Sequence, residues 1–251
     1  MMKFFYVITL LTLVGKVAAG QTVDMSATVN NSIFTNNFIN PLDNLLTRQE
    51  INDISSAKAA TFESVGGTNR FLSIDWETGG AVTYQNKIVN STRYKYNYDY
   101  ISHQLFAKSG DTVIAVNGSH LKSFYITVNG RTHAFYKFPA IGSDNFEELL
   151  SADTVAGKLR LIKQRNVTLI KYTQANASAA LTGDRSDIYQ GVVNYFILFP
   201  DNVAVKVKLS SKSVMESLEP QYRAKAIPLI NNTKKIDEDS LARIINSMNG
   251  N

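Results

Sequence analysis

The stretch Ser-Phe-Tyr-Ile-Thr-Val-Asn-Gly-Arg-Thr-His-Ala-Phe-Tyr at residues 123–136 carries the clearest structural signal in the chain. Its central pair, Asn129-Gly130, tolerates the positive φ angles of a type I′ turn, so the flanking residues are predicted to form a two-residue β-hairpin. The turn fixes the register, and the predicted cross-strand pairs are Val128–Arg131, Ile126–His133, Phe124–Phe135, Tyr125–Ala134 and Ser123–Tyr136.

Two further hairpins are predicted on either side of this one. Asn117-Gly118 is a second Asn-Gly pair, which predicts the cross-strand pairs Val116–Ser119 and Ile114–Leu121. A third hairpin is predicted at Asp201-Asn202, where apolar residues then alternate with small or basic ones over 203–209. Alternation and turn residues dominate residues 67–209, which is typical of antiparallel strands.

Helical spacing replaces alternation over residues 210–251. Ser213 and Glu216 have the spacing of a capping box, and Asp237 is a good N-cap for the last helix. Pro220 can begin a helix, and Pro228 must kink or restart it. One apolar stripe is predicted on the last helix, beside a staple between Ile236 and its first member; the stripe is Leu241, Ile244, Ile245 and Met248.

These patterns predict an α+β fold: an antiparallel, twisted sheet or sandwich with the C-terminal helices packed against it. The β-rich domain covers residues 67–251, with strands over 67–209 and helices over 210–251. Residues 21–66 form a mixed N-terminal segment, in which residues 41–60 fit helical spacing only loosely.

The first twenty residues are predicted to be a cleaved secretory signal peptide. Lys3 supplies a positive charge, residues 4–14 are apolar apart from two threonines, and small residues follow up to Gly20. Cleavage after Ala19 or after Gly20 satisfies the small-residue rule. The sequence therefore predicts a periplasmic or extracellular protein without a transmembrane span after cleavage. Because the chain has no cysteine, disulfides and thiol chemistry are excluded, which favours a bacterial envelope over a eukaryotic secretory setting.

The charge balance argues against nucleic acid as a partner. Removing residues 1–20 removes two of the 26 basic residues, which leaves 24 basic against 21 acidic residues. Such a small excess does not support the phosphate contacts that dominate nucleic-acid binding.

The most distinctive candidate site is a row of tyrosines at alternating positions. In an extended strand, Tyr94, Tyr96, Tyr98 and Tyr100 project from one face. They are the candidate ligand-binding residues, as a stacking platform for sugar rings or another flat ligand. The alternative is cross-strand aromatic packing, because tyrosine suits a half-buried sheet.

No catalytic residue, metal site or cofactor is predicted. The predicted register separates His120 from His133 by roughly 20 Å, too far for a shared metal ion, and His103 has no metal-binding spacing either. The carboxylate pairs Glu147-Glu148 and Glu238-Asp239 are each assigned to the first turn of a helix, where the helix dipole favours negative charge.

A basic stretch at residues 160–171 has two interpretations. Its side chains are Arg160, Lys163, Arg165 and Lys171, interleaved with leucine and isoleucine. A solvated strand face is one, and an anionic surface such as lipopolysaccharide or membrane headgroups is the other.

Several motifs resemble those of uncharacterised exported proteins of Bacteroidota-type Gram-negative bacteria. The resemblance covers roughly residues 67–249 and rests on the segments Asp75-Trp76-Glu-Thr-Gly-Gly-Ala-Val82, Arg93-Tyr-Lys-Tyr-Asn97, His103-Gln-Leu-Phe-Ala-Lys108, Phe146-Glu-Glu-Leu-Leu150, Lys158-Leu-Arg-Leu-Ile-Lys163, Lys212-Ser-Val-Met-Glu-Ser-Leu218 and the closing helix. It implies an envelope location and a β-rich fold with terminal helices, and it supplies no site residues.

The preferred functional hypothesis is a non-enzymatic envelope protein that binds an envelope ligand or a protein partner through its sheet. Two alternatives stay open. One is a periplasmic hydrolase of carbohydrate or peptide, which predicts a cleft with convergent acidic groups or a perturbed histidine. The other is a structural or assembly component of the envelope, which differs from a binding protein in lacking a concave, ligand-sized pocket.

Overall fold

The computed structural model describes residues 70–152, 157–171 and 188–250, together with the backbone of a short strand at Leu46–Thr47. All of them fall within one compact unit of the chain, Ile39–Asn251. Antiparallel strands form a small and a large sheet, and three helices follow them. The predicted α+β class is therefore confirmed.

The strands form two sheets, and β2 and β3 belong to the large sheet although β1 and β4–β6 belong to the small one. The small sheet has the order β1-β6-β5-β4, and the large sheet has the order β12-β11-β10-β9-β8-β7-β2-β3. The strand bounds are β1 Leu46–Thr47, β2 Thr78–Thr83, β3 Ile88–Asn90, β4 Lys95–Asp99, β5 Gln104–Ser109, β6 Thr112–Val116, β7 Leu121–Val128, β8 Arg131–Lys137, β9 Phe146–Leu149, β10 Arg160–Ile170, β11 Ile188–Leu198 and β12 Ala204–Val207.

The hairpin at Asn129-Gly130 is confirmed in every predicted pair, and both turn residues have positive φ angles. The hairpin at Asp201-Asn202 is also confirmed, as the β11–β12 connection. The predicted hairpin at Asn117-Gly118 is wrong. The Asn117 side chain accepts a hydrogen bond from the Ser119 N–H and starts a 3₁₀ turn, so β6 and β7 enter different sheets.

One row of directly paired residues runs across the large sheet and passes from one hydrophobic core to another. Across six neighbouring strands it contains Phe124, Phe135, Glu148, Lys163, Tyr195 and Val207. Directly paired residues share a face. The two phenylalanines belong to the core beneath the small sheet, whereas Val207 belongs to the core beneath the helices. Both cores therefore lie on the same face of the large sheet, and a charged pair stands between them.

Three helices cover the second core: α1 Ser211–Ser217, α2 Pro220–Asn231 and α3 Glu238–Met248. Pro220 begins α2 as predicted, but α2 continues through Pro228 instead of restarting there. The Ser213–Glu216 capping box is wrong, because Ser210 is the N-cap of α1 and accepts from the Ser213 N–H. Asp237 is confirmed as the N-cap of α3, and all four residues of the predicted apolar stripe are buried.

A third, smaller core lies on the opposite face of the large sheet. The chain after β8 forms a 3₁₀ turn at Pro139–Ile141, and Phe138 packs there with Leu149, Ile162 and Leu198. The sheet is thus covered in part on both faces.

Some predictions fall outside the described residues. They include the signal peptide at residues 1–20 and most of the segment 21–66. Within that segment, Leu46–Thr47 pairs with β6 as a strand instead of continuing the loose helical spacing of residues 41–60. Among the described residues, the helices are too short or too polar to cross a membrane.

Candidate functional site

The tyrosine row lies in the core beneath the small sheet. Tyr94, Tyr96, Tyr98 and Tyr100 are between 1% and 4% exposed. Tyr98 packs against the rings of Phe124 and Phe135, with centroids 5.3 and 4.9 Å away. The packing interpretation accounts for these contacts. The ligand-binding assignment of the row stays a prediction, and the arrangement offers a ligand no exposed ring in this row.

The hydroxyls of two neighbouring tyrosines have different surroundings. Tyr98 Oη donates to the Phe146 carbonyl oxygen at 2.9 Å. Tyr96 Oη is buried and has no hydrogen-bond partner in the described part of the chain. Burial raises the pKa of Tyr96 to about 12, so this phenol stays neutral. The two positions therefore form a matched pair for testing how much the core depends on its polar atoms.

A concave groove lies where the end of α2 meets α3. Its volume is about 480 Å³, which falls within the range of small-molecule sites. The floor has two apolar residues, Leu229 and Ile244, and the remaining lining residues are polar or charged: Asn232, Thr233, Lys234, Lys235, Asp237, Ser240, Arg243 and Ser247.

Positive charge dominates the groove. Lys234, Lys235 and Arg243 are exposed, and none of them forms an ion pair with a residue in the described part of the chain. Asp237 is the one carboxylate in the lining, and it accepts from the Ser240 N–H as the helix cap. That hydrogen bond is the main reason why the pKa of Asp237 lies below its ordinary value. Three cations therefore face one carboxylate that is already engaged.

The loop that carries the two lysines is held in place by hydrogen bonds. Ser240 Oγ contacts the carbonyl oxygens of Lys235 and Asp237 at 3.1 and 3.0 Å and the Asp237 N–H at 2.8 Å. Thr233 Oγ1 donates to the Leu229 carbonyl at 2.8 Å, which ties the loop to the end of α2. The groove is thus largely preformed. Helical spacing places Arg243 on the polar side of α3, opposite the apolar stripe, but it gives no information on where α2 packs.

A network of buried and partly buried charges joins the large sheet to α3. His133 Nδ1 lies 2.6 Å from Glu148 Oε1, and Lys163 Nζ lies 3.5 Å from Glu148 Oε2. Lys163 Nζ also lies 2.8 Å from Glu238 Oε2 in the first turn of α3. Tyr195 Oη donates to that same carboxylate oxygen at 3.0 Å. We call His133, Glu148, Lys163, Tyr195 and Glu238 the seam network.

The seam network corrects two predictions. Glu147-Glu148 lies on the buried strand β9 and not in a helix, whereas Glu238-Asp239 occupies the first turn of α3 as predicted. The solvated-face interpretation of the basic stretch does not hold for Lys163, whose side chain is only 17% exposed and is ion-paired, whereas Lys171 in the same stretch is exposed. Burial alone raises the pKa of Glu148, but the hydrogen bond with His133 and the charge of Lys163 bring it below the ordinary value.

Glu147 faces the other way, toward the third core, and is also buried. Its Oε1 accepts from Ser143 Oγ at 2.9 Å and from Gln164 Nε2 at 3.2 Å. Burial raises the pKa of Glu147, and these hydrogen bonds oppose the rise only in part. Adjacent carboxylates thus have pKa shifts of opposite sign because one has cationic neighbours and the other has neutral ones.

The three histidines lie on different elements: His103 in the turn before β5, His120 in the 3₁₀ turn before β7, and His133 on β8. His133 pairs with Ile126, which lies six residues along the chain from His120, as predicted. Burial lowers the pKa of His103, which sits in a turn with a positive φ angle. Within residues 70–152, 157–171 and 188–250, no three His, Asp or Glu side chains come together as a metal site.

Comparisons with models of protein families, with curated proteins and with solved structures find no match to this chain.

Proposed function

We propose that this chain is an exported envelope protein that binds a polar, anionic ligand without catalysis, and that the groove between α2 and α3 is its binding site. The observation that carries the proposal is a preformed concavity of about 480 Å³ lined by three cations with no ion-pair partner in the described part of the chain. A ligand-sized pocket is the feature that distinguishes a binding protein from a purely structural component.

The lining supports one chemical class of ligand. Two lysines and an arginine complement the oxyanions of carboxylates or phosphates, and Arg243 can hold such a group through two parallel hydrogen bonds. The hydroxyl and amide groups of Asn232, Thr233 and Ser247 suit the remaining polar atoms of a sugar or headgroup. An acidic sugar or a phosphorylated sugar therefore fits the groove better than an apolar molecule does.

Calorimetric titration of the purified exported form tests the binding site. The probes are glucuronate and glucose 6-phosphate, with glucose as the neutral control. We expect the charged probes to bind more tightly than glucose, and Lys235→Gln or Arg243→Gln to weaken them about tenfold, equivalent to about 1.4 kcal/mol. Lys225→Gln is the matched control, because Lys225 is exposed on α2 but does not line the groove. Equal losses in all three variants, or equal affinity for glucose, would contradict the proposal.

Export is tested separately from binding. Fractionation of expressing bacteria should place the protein outside the cytoplasm, with an N-terminus at Gly20 or Gln21. Replacing Leu10 and Leu11 with lysine interrupts the apolar region and should keep the unprocessed chain in the cytoplasm. A processed chain with that change would refute the signal-peptide assignment.

One observation favours the hydrolase alternative. The hydrogen bond of 2.6 Å between His133 and Glu148 has the geometry by which a carboxylate orients an imidazole base. If the protein hydrolyses a glycan or peptide through this pair, His133→Gln abolishes turnover while the folded state persists. Turnover that survives this substitution removes His133 as the catalytic base, and no turnover by the wild type on glycan or peptide substrates removes the alternative itself.

A further inference from the structure

Arg160 occupies an unusual setting at the start of β10. Its guanidinium carbon lies 5.7 Å from the centre of the Phe138 ring, and its Nε is buried without a hydrogen-bond partner among the residues that the structure describes. The residue as a whole keeps part of its surface in contact with solvent. It forms no ion pair with a residue in the described ranges.

The surroundings of Arg160 are apolar. Its cross-strand partner is Leu198, which pairs in turn with Ala204 on the edge strand β12. Phe138 and Leu198 are buried in the third core, and Ile141, Phe196 and Ala204 are among the partly buried residues packed around it. Burial lowers the pKa of Arg160, as expected for a cation held against apolar side chains.

In this setting the buried Nε of Arg160 lacks a hydrogen-bond acceptor among the described residues. A buried N–H without an acceptor destabilises the folded protein, and the Phe138 ring offsets only part of the lost hydration of the cation. A bound oxyanion compensates the guanidinium for the missing acceptor and for the lost hydration, because the guanidinium presents parallel N–H groups that match a carboxylate or phosphate. The adjoining half-buried apolar side chains favour a ligand whose body is apolar.

We propose that Arg160 anchors a second binding site, for an amphipathic oxyanion whose head contacts the guanidinium and whose chain lies on Ile141, Phe196 and Ala204. The helices and their groove are on the opposite face of the large sheet, since Leu161 and Ile197 contact the helical core while Arg160 and Leu198 do not. The site is therefore independent of the groove. A fatty acid and a single-chain lipid phosphate share the required chemistry.

Titration with decanoate and decyl phosphate tests the proposal and distinguishes the two sources of the oxyanion. Decanol and acetate are the controls that lack the charge and the chain. We expect decanoate or decyl phosphate to bind, and Arg160→Gln to weaken that binding at least tenfold while leaving decanol unchanged. Lys206→Gln is the matched control, because Lys206 is an exposed cation on the same face, paired with Phe196.

The site can be located independently of affinity. Bound decanoate should shift the NMR signals of the Ile141 and Ala204 methyl groups, and Lys235→Gln in the groove should change nothing. The proposal is overturned if neither anionic amphiphile binds at millimolar concentration, if Arg160→Gln and Lys206→Gln weaken binding equally, or if decanol binds as tightly as decanoate. Failure here leaves the groove titrations unaffected, so the two sites are judged separately.

Discussion

Lys163→Met is the sharpest test of the seam network. The lysine side chain is 17% exposed and contacts Glu148 and Glu238, which are 5% and 22% exposed. Removing one member of a buried ion pair costs about 3–5 kcal/mol, since the remaining charge stays buried without its partner. Glu148 keeps His133, and Glu238 keeps Tyr195, so we expect the lower end, about 3 kcal/mol.

Urea unfolding at pH 7 measures this loss, and a thermal scan should show a midpoint lower by about 9 °C for a domain of this size. Lys212→Met is the matched control. Its ammonium lies 3.9 Å from Glu216 in an exposed pair on α1, which should contribute almost nothing. If Lys163→Met costs no more than Lys212→Met, the seam network does not hold the helices to the sheet.

The same variant should change the acid limb of stability. The pKa of Glu148 is depressed in the folded state, so its contribution is present at neutral pH and is lost as the pH falls below its ordinary value. Without Lys163, one cause of that depression is gone, and Glu148 takes up its proton at higher pH. Acid unfolding of Lys163→Met should therefore begin at a higher pH than in the wild type. An unchanged acid midpoint would contradict the assignment.

Three further predictions follow from buried groups. Tyr98→Phe should lower the free energy of unfolding by about 1 kcal/mol because the Phe146 carbonyl loses its donor, whereas Tyr96→Phe should be neutral or stabilising; urea unfolding that ranks them the other way refutes the hydrogen-bond assignment. Glu147→Gln should raise the thermal midpoint at pH 7, because a carboxyl group whose pKa is raised in the folded state destabilises the fold once the pH rises above its ordinary value, and the gain should vanish below about pH 4; a gain independent of pH would mean that the charge is irrelevant. Gly79→Ala should lower the free energy of unfolding by about 2 kcal/mol, since a Cβ there overlaps the backbone oxygen of Tyr125. A thermal midpoint equal to that of the wild type would contradict this close pairing of β2 with β7.

The hairpin at Asn129-Gly130 was predictable residue by residue because a two-residue turn sets both geometry and register locally. The identical pair at Asn117-Gly118 failed because the chain there changes sheets, and the Asn117 side chain caps a 3₁₀ turn instead. Local sequence does not reveal whether the strands on either side of a turn share a sheet. The N-cap at Asp237 succeeded for the same reason as the first hairpin, since its partner is only three residues away.

The candidate sites depend on contacts that are distant in sequence. Lys163 meets Glu238 across 75 residues, and Glu148 meets His133 across 15, so neither pair leaves a local motif. The same holds for Arg160, whose apolar surroundings come from three separate segments. For the tyrosine row, the local pattern was predictable but its burial was not. Alternation placed its rings on one face, but it could not say that the face would be covered by β7 and β8.

The division of one sheet face into two cores has a consequence for how the protein tolerates change. Few side chains of one core touch those of the other, because Glu148 and Lys163 stand between them in the shared row. The side chains around a substitution in either apolar cluster should therefore repack within their own half. The changes in free energy of unfolding from two substitutions, one in each half, should then be additive. The seam network is the exception: its residues belong to both halves, and changes there are transmitted to each. Homologues of this protein should therefore vary freely within each core while retaining paired charge at the seam.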